Sequence, residues 1–120
     1  MNSLNSVLLE GNLTGDPEKI DMENGGIVTK FQLASSRFRT VDGTGVEDVI
    51  FFDVEACNRV ALLCLKSLAK GRGVRVVGRL AQDRWTDKDG KNHTKVKIVA
   101  ETVEFKPKWD KRSADVPVEV

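Results

Sequence analysis

Alternating apolar and polar positions divide most of the chain into segments typical of β-strands. The clearest of them covers residues 46–57. Its two faces carry Ile50, Phe52, Val54 and Ala56 on one side and Phe51, Asp53, Glu55 and Cys57 on the other. A period of two is what a strand with one buried face requires. The pattern therefore predicts a strand here, the third in chain order.

Four other segments fit strands as well. They cover residues 6–13, 27–38, 74–85 and 95–105. Asn24-Gly25-Gly26 is a hairpin signal before the second strand, and Asp87-Lys88-Asp89-Gly90 is another between the fourth and the fifth. Residues 39–45 are polar and are expected to form a loop. The side chains expected to point inward from the second and fourth strands are Ile27, Phe31, Leu33, Val74, Val76, Gly78 and Leu80.

After residue 57 the period of the apolar residues changes. Ala61, Cys64 and Leu68 recur at helical spacing, which predicts a helix of about three turns. Asn58 is predicted to cap its N-terminus, and Gly71 is predicted to stop it.

The resulting element order is β-β-β-α-β-β, with a glycine in the first strand and another in the fourth, where a small sheet has to curl. This order predicts an all-β fold: a five-stranded, partly open Greek-key barrel of the oligonucleotide- and oligosaccharide-binding type (OB-fold), with one helix between strands 3 and 4. A two-layer α+β sheet is the alternative that the pattern leaves open.

Composition narrows the class of protein. A chain of 120 residues, 40% hydrophobic and 31% charged, is expected to form one globular domain. No apolar run approaches the roughly 18 residues of a membrane span, and no leader pattern is recognisable at the N-terminus, so a cytoplasmic protein is expected. With two cysteines and one histidine neither a metal nor a cofactor is predicted. Cys57 and Cys64 are both expected to be buried or half-buried thiols.

The net charge of +1 hides an uneven distribution. Residues 1–60 carry five basic and ten acidic side chains, whereas residues 61–120 carry fourteen and eight. Within residues 66–97 ten basic residues stand against three acidic ones. Such a segment can bind a polyanion, although it also fits a solvated surface without a ligand.

Three large aromatic residues fall on the predicted outer faces: Phe38, Phe51 and Trp85. Exposed rings among basic side chains are suited to single-stranded nucleic acid, because each base can stack on a ring while Lys and Arg neutralise the phosphates. Packing under a loop or against a partner subunit is the alternative for Phe38 and Phe51. Trp85 is the stronger candidate, since Arg84 precedes it and a hairpin with Lys88 and Lys91 follows.

Several strings of residues, in this order and spacing, resemble the bacterial single-stranded DNA-binding protein family. They are residues 7–18 (VLLEGNLTGDPE), 24–26 (NGG), 31–36 (FQLASS), 74–80 (VRVVGRL) and 84–90 (RWTDKDG). The resemblance implies an OB-fold over residues 1–106 and sequence-independent binding of single-stranded DNA in replication, recombination and repair. It also implies a homotetramer.

The resemblance assigns roles to individual residues. Trp85 and Phe51 match stacking aromatics of the family, and Phe38 lies one residue before a position that is often aromatic. That position itself is occupied by Arg39. Basic residues that contact phosphate in the family are matched by Arg59, Lys70 and Arg84, and Lys88 and Lys91 are added from the adjacent hairpin. Cys57 departs from the family, where an aromatic residue is common.

Residues 107–120 are expected to form a short flexible tail. The resemblance implies a long linker with an acidic tip that recruits replication and repair proteins, but the residues after Lys106 carry three basic and three acidic side chains. A tail-less relative with a primosomal accessory role is therefore an alternative. Trp109 in this segment is either a further stacking residue or packed on the domain.

The sequence gives less support to two other classes of function, a metal-dependent nuclease and an RNA-binding module. A metal-dependent nuclease would use clustered carboxylates, for which Asp42, Glu47, Asp48, Asp53 and Glu55 are available, but alternating positions disperse them over two faces. His93 lies at a hairpin edge without a recognisable partner, so no catalytic triad is predicted and the chain is not expected to be an enzyme. An RNA-binding OB-fold module is the remaining alternative, because stacking and phosphate contacts also suit RNA.

Overall fold

The computed structural model describes residues 2–107. Trp109 and the expected tail from residue 108 onward lie outside the described residues. Within them, the elements in chain order are β1 (Val7–Leu13), β2 (Glu18–Asp21), β3 (Ile27–Val41), β4 (Thr44–Cys57), α1 (Asn58–Ser67), β5 (Gly73–Thr86) and β6 (Asn92–Phe105).

Five of these strands form a closed barrel. Neighbours pair in the order β1-β5-β6-β4-β3, and β1 returns to β3 through Asn12 opposite Ala34 and Leu13 opposite Leu33. The β4–β6 pair is parallel, and the other pairs are antiparallel. The predicted five-stranded OB-fold barrel with a helix between its third and fourth strands is confirmed. The two-layer alternative is wrong, because the ring closes.

Glycine permits the close approach of strands at two points of the ring. A Cβ on Gly11 would lie 2.6 Å from the carbonyl oxygen of Ala34, where β1 meets β3. A Cβ on Gly78 would collide with the carbonyl of Val99, beside a register shift between Val77 and Gly78. Both positions lie where the sequence analysis expected glycine to let the sheet curl.

The core fills the barrel and extends under the helix. Leu33, Val54, Val74, Val76 and Ile98 are almost fully buried. From α1, Ala61 and Cys64 join this core, with Leu68 just beyond the helix. The one buried polar side chain among the described residues, Thr29, donates its hydroxyl to the carbonyl of Ala61 at 3.0 Å. The helix is thereby fixed over one end of the barrel.

The strands differ from the prediction at two places. The four-residue β2 was not foreseen, because EKID is too short to show an alternation; it pairs with β3 across the predicted Asn24–Gly26 turn. The expected loop at 39–45 is instead a two-residue turn, Asp42-Gly43, with φ of 49° and 78°. Two successive positive φ angles are typical of the type I′ turn that Asp-Gly favours, so both strands continue almost to the tip.

The start of α1 also differs from the prediction. Cys57, not Asn58, is the N-cap, and it makes no side-chain capping bond. Asn58 has φ of 52°, a left-handed conformation that asparagine tolerates. The helix ends at Ser67, and Gly71 lies in the turn that follows, with φ of 88°.

Two hairpin arms extend beyond the barrel, β3–β4 and β5–β6. Because β4 and β6 are parallel neighbours, the strand starts at Thr44 and Asn92 lie at the same end, which we call the arm end. The opposite end, covered by α1, is the helix end. Ile50 and Leu80 were expected in the core but are 55% and 47% exposed, because no second layer covers the strands as they leave the barrel. No helix within residues 2–107 has the length and apolar character to cross a bilayer.

Candidate nucleic-acid interface

Phe38 and Phe51 lie on the same face of the β3–β4 arm. Phe51 pairs with Ala34, and Phe38, four residues further along β3, pairs with Glu47. The two rings are therefore about 13 Å apart along the strands, at roughly 3.3 Å per residue. Phe38 is 74% exposed and Phe51 is 59% exposed. The arm thus presents two aromatic side chains to solvent on one surface.

Trp85 is the aromatic residue of the other arm, on β5. It is 49% exposed and stands opposite His93 of β6. The two rings stack, with centroids 5.4 Å apart and planes inclined by 19°. The expectation that His93 has no partner was wrong. The register set by the turn at residues 87–90 could have revealed this pair, because it places residue 93 across from residue 85.

The register also relates the two arms. Asp83, two residues before Trp85, pairs with Lys95, whose ammonium lies 3.0 Å from Asp53 on β4. Asp53 is in turn two residues from Phe51, on the same face of its strand. The rings of Phe51 and Trp85 therefore belong to one outer surface at the arm end. The sequence predicted that each ring is exposed.

The basic residues singled out in the sequence form two groups. Lys88 and Lys91 are exposed at the tip of the β5–β6 arm. Arg59 and Lys70 are exposed at the helix end, on α1 and in the turn after it. From Phe51 to the end of β4 is about 20 Å. A ligand that contacts both groups has to run along the barrel.

Arg39 and Arg84 point away from the aromatic residues of their own arms. Arg39 pairs with Val46, on the face opposite Phe38, and its Nε lies 2.6 Å from Asp48. Arg84 pairs with Thr94, and its Nε donates to the side chain of Gln82 at 3.1 Å. Their predicted contact with DNA stays a prediction.

A network of ion pairs occupies the outer surface between the aromatic residues and the helix end. Lys97 Nζ lies 2.7 Å from Glu55 and 2.9 Å from Asp83, and Lys30 reaches Glu55 at 3.4 Å. Desolvation opposes the charge of Lys97, whose side chain is only 16% exposed, but its bonds to Glu55 and Asp83 outweigh this and raise its pKa. The sequence did not reveal the Lys97–Glu55 pair at the centre of this network, since that pair depends on the parallel register of β4 and β6.

These ion pairs line a groove of about 320 Å³. Its charged residues are Asp16, Glu18, Lys30, Asp53, Glu55, Asp83, Lys95 and Lys97. Five carboxylates against three ammonium groups leave the groove with an excess of negative charge. The middle of the outer surface is therefore poorer in available cations than the count of basic residues between 66 and 97 indicated.

Four of the five carboxylates considered for a nuclease, all but Asp42, have hydrogen-bond or ion-pair partners in the described part of the chain. Asp48 pairs with Arg39, Asp53 with Lys95, and Glu47 accepts a hydrogen bond from the Ser36 hydroxyl at 3.0 Å. Among residues 2–107 no three His, Cys, Asp or Glu side chains come together as a metal site.

The two cysteines differ in their environments. Cys64 is buried in the core as expected, and burial raises the pKa of its thiol to about 11. Cys57 is exposed, which corrects the expectation that it is buried or half-buried. It pairs with Val28 at the end of β4 and shares the outer face of that strand with Phe51.

Comparison with known proteins gives a family and close relatives. The model of the single-strand binding protein family matches residues 4–106. A single-stranded DNA-binding protein of Aquifex aeolicus (strain VF5) is 38% identical over 120 residues, covering 98% of this chain and 81% of that protein. A single-stranded DNA-binding protein of Wolinella succinogenes is 35% identical over 102 residues, covering 84% of this chain and 63% of that protein.

A solved structure is similar in fold. It is that of a Plasmodium falciparum SSB in complex with ssDNA, which matches with a TM-score of 0.80 at 23% sequence identity. The match covers 89% of this chain and 98% of the other. At this level of identity the likeness supports the barrel architecture.

Proposed function

Because the chain belongs to the single-strand binding protein family, we propose that it binds single-stranded DNA without sequence preference. The observation that carries the proposal is the exposure of Phe38, Phe51 and Trp85 at the arm end of the barrel. Each ring can stack on any base, because every base has a π-face. The family is a non-catalytic DNA-binding family, and this mechanism requires no reacting group.

Phosphate neutralisation is the second part of the proposed mechanism. Arg59, Lys70, Lys88 and Lys91 are exposed, and none of them forms an ion pair within residues 2–107. A strand of DNA that stacks on Phe51 and continues along β4 reaches the helix end, where Arg59 and Lys70 lie. The path is thus anchored by cations at both ends of the barrel and crosses the negative groove between them.

In this proposal the protein acts as a homotetramer in the cytoplasm and protects single-stranded DNA during replication, recombination and repair. Oligomerisation is typical of the family. It is supported by Leu8, Leu62 and Leu63, which are 73%, 54% and 46% exposed and offer apolar surface to other subunits. Light scattering tests this part: a mass near four chains of 13.3 kDa is expected, and the mass of one chain contradicts it.

Binding is tested by fluorescence anisotropy with labelled oligonucleotides of equal length. We expect tight binding to single-stranded DNA of several base compositions and much weaker binding to the duplex. Trp85→Ala is expected to weaken binding by about 1 to 3 kcal/mol, the contribution of one stacked base. Its melting temperature should stay normal, because the ring is half exposed.

Three outcomes of this titration contradict the proposal. Equal affinity for single-stranded and duplex DNA would leave stacking without a role. Preference for an RNA of matched sequence would favour an RNA-binding module. An unchanged affinity of Trp85→Ala would show that the ring is structural.

A further inference from the structure

Asp87 ties together the tip of the β5–β6 arm. Its Oδ1 accepts the backbone N–H groups of Asp89 and Lys91, both at 2.9 Å. Its Oδ2 lies 2.6 Å from Nε2 of His93. These bonds lower the pKa of the Asp87 carboxyl, with the His93 contact as the largest cause. One carboxylate therefore fixes both the turn and the orientation of an imidazole ring.

The imidazole held in this way is the one stacked on Trp85. The nearly parallel planes, 19° apart, mean that His93 covers one face of the indole. Since Trp85 is 49% exposed, the surface left to solvent includes the other face. A hydrogen bond between Thr86 and Asn92 at 2.9 Å, next to the stacked pair, holds the two strands in register.

We infer that His93 is a positioning residue for single-stranded DNA, held by Asp87 so that Trp85 presents one fixed face to a base. The inference rests on the proposed function. An indole without this support has to be immobilised when a base stacks on it, and immobilising a side chain costs affinity. The stack removes that cost in advance, because the ring is already held on one side.

Substitutions of His93 and Asp87 separate the contribution of stacking on Trp85 from that of the hydrogen bond to Asp87. His93→Phe keeps a flat ring behind Trp85 but removes the nitrogen that faces Asp87. His93→Ala removes both. Asp87→Asn keeps a side-chain carbonyl for the turn but removes the charge beside the imidazole. Thr94→Ala is the matched control, because Thr94 is the next residue on β6, is exposed and points to the opposite face.

The variants are made in a Trp109→Phe background, in which Trp85 is the sole tryptophan. Three quantities are measured for each: affinity for a mixed-sequence oligonucleotide, quenching of Trp85 fluorescence by acrylamide in the free protein, and melting temperature. We expect His93→Ala to lose about three- to tenfold in affinity, the range expected for one side chain left free to move. In this variant Trp85 should also become more accessible to acrylamide.

His93→Phe is expected to restore both the affinity and the protection from acrylamide. Asp87→Asn should fall between the two, and Thr94→Ala should match the parent. If His93→Ala melts below the working temperature, the comparison is made between His93→Phe and Asp87→Asn, which keep a ring behind Trp85.

The inference is overturned if His93→Ala, well folded, binds as tightly as the parent. It is also overturned if His93→Phe, well folded, binds as weakly as His93→Ala, because a flat ring would then not be what Trp85 needs. A parent protein that does not bind single-stranded DNA overturns the proposed function and the inference together. A parent that binds, with all His93 and Asp87 variants equal to it, overturns the inference alone.

Discussion

Lys97 of β6 and Glu55 of β4 face each other across the parallel junction of the barrel, with 2.7 Å between ammonium and carboxylate. Glu55 also receives Lys30 from β3, so one carboxylate joins three strands. This arrangement holds two cations that lie on the same outer surface as the aromatic residues. A phosphate that approaches them has to compete with a carboxylate already in place.

The first prediction concerns this competition. Glu55→Gln should tighten binding of single-stranded DNA, because it releases Lys30 and leaves Lys97 with Asp83 as its carboxylate partner. One additional phosphate contact steepens the dependence of log K on log salt by about 0.7. Affinity measured over a series of salt concentrations checks both the gain and the slope.

Glu104→Gln is the matched control for this variant. It also removes one negative charge, but Glu104 lies on β6 and pairs with Arg75, near the helix end and away from the groove. We expect no change in its affinity or salt slope. An equal gain from both variants would mean that net charge alone is responsible, and no gain from Glu55→Gln would mean that DNA does not reach the groove.

Features that depend on positions close together in the chain could be predicted from the sequence, whereas features that depend on the three-dimensional fold could not. Phe52, Val54 and Ala56 were assigned to the inner face correctly, because alternation along one strand decides it. The same rule placed Ile50 inside, yet it is exposed, because only the three-dimensional fold shows where the β3–β4 arm leaves the barrel. Local patterns thus predicted the strands, but not how much of each strand is covered by the core.

The candidate site divides in the same way. The exposure of Phe38, Phe51 and Trp85 followed from their position opposite an apolar face. The ion pair of Lys97 with Glu55 did not, because β4 and β6 are separated by a helix and a strand in the chain, and their register is not written in either segment. Counting cations therefore overestimated the charge available to a phosphate.

The second prediction compares a lysine without an ion-pair partner in the described residues, Lys70, with an arginine that has one, Arg39. Lys70→Ala should flatten the salt dependence by about one contact, a change of roughly 0.7 in slope, since its ammonium is exposed and forms no ion pair within the described residues. Arg39→Ala should change the slope less, because Asp48 already holds the guanidinium. Neither effect should depend on base sequence. A larger change for Arg39 would place the DNA on the opposite face of the β3–β4 arm.

The third prediction is a loss of stability at alkaline pH caused by Cys64. Burial raises the pKa of this thiol from its ordinary value of 9.0 to about 11. Its contribution is complete below pH 9, where folded and unfolded chains are both protonated, and it is lost as the pH rises towards 11, because the unfolded chain ionises first. The full effect is about 2 to 3 kcal/mol for a shift of this size.

Urea unfolding at several pH values between 8 and 11 measures this loss. Cys64→Ala should be less stable at pH 8, because it leaves a small cavity, but its stability should fall less steeply with pH. Parallel curves for the two proteins would assign the alkaline loss to other groups.

The fourth prediction is a gain of affinity from Cys57→Trp. Residue 57 is exposed on the outer face of β4, six residues and about 20 Å from Phe51, on the proposed path towards Arg59. Its backbone is extended, with φ of −119° and ψ of 147°, so a tryptophan fits without strain. Because the thiol is exposed, the larger ring should not overpack the core, and the melting temperature should stay close to that of the parent. One stacked base contributes about 1 to 3 kcal/mol.

Cys57→Ser is the control for this gain, since it changes the same N-cap without adding a ring. A serine hydroxyl can accept a hydrogen bond from the first turn of α1, where the cysteine makes no capping bond. We therefore expect Cys57→Ser to raise the melting temperature and leave the affinity unchanged, and Cys57→Trp to raise the affinity and leave the melting temperature unchanged. Tighter binding by both variants would attribute the gain to a firmer helix, whereas a normal melt with unchanged binding for Cys57→Trp would remove residue 57 from the path of the DNA.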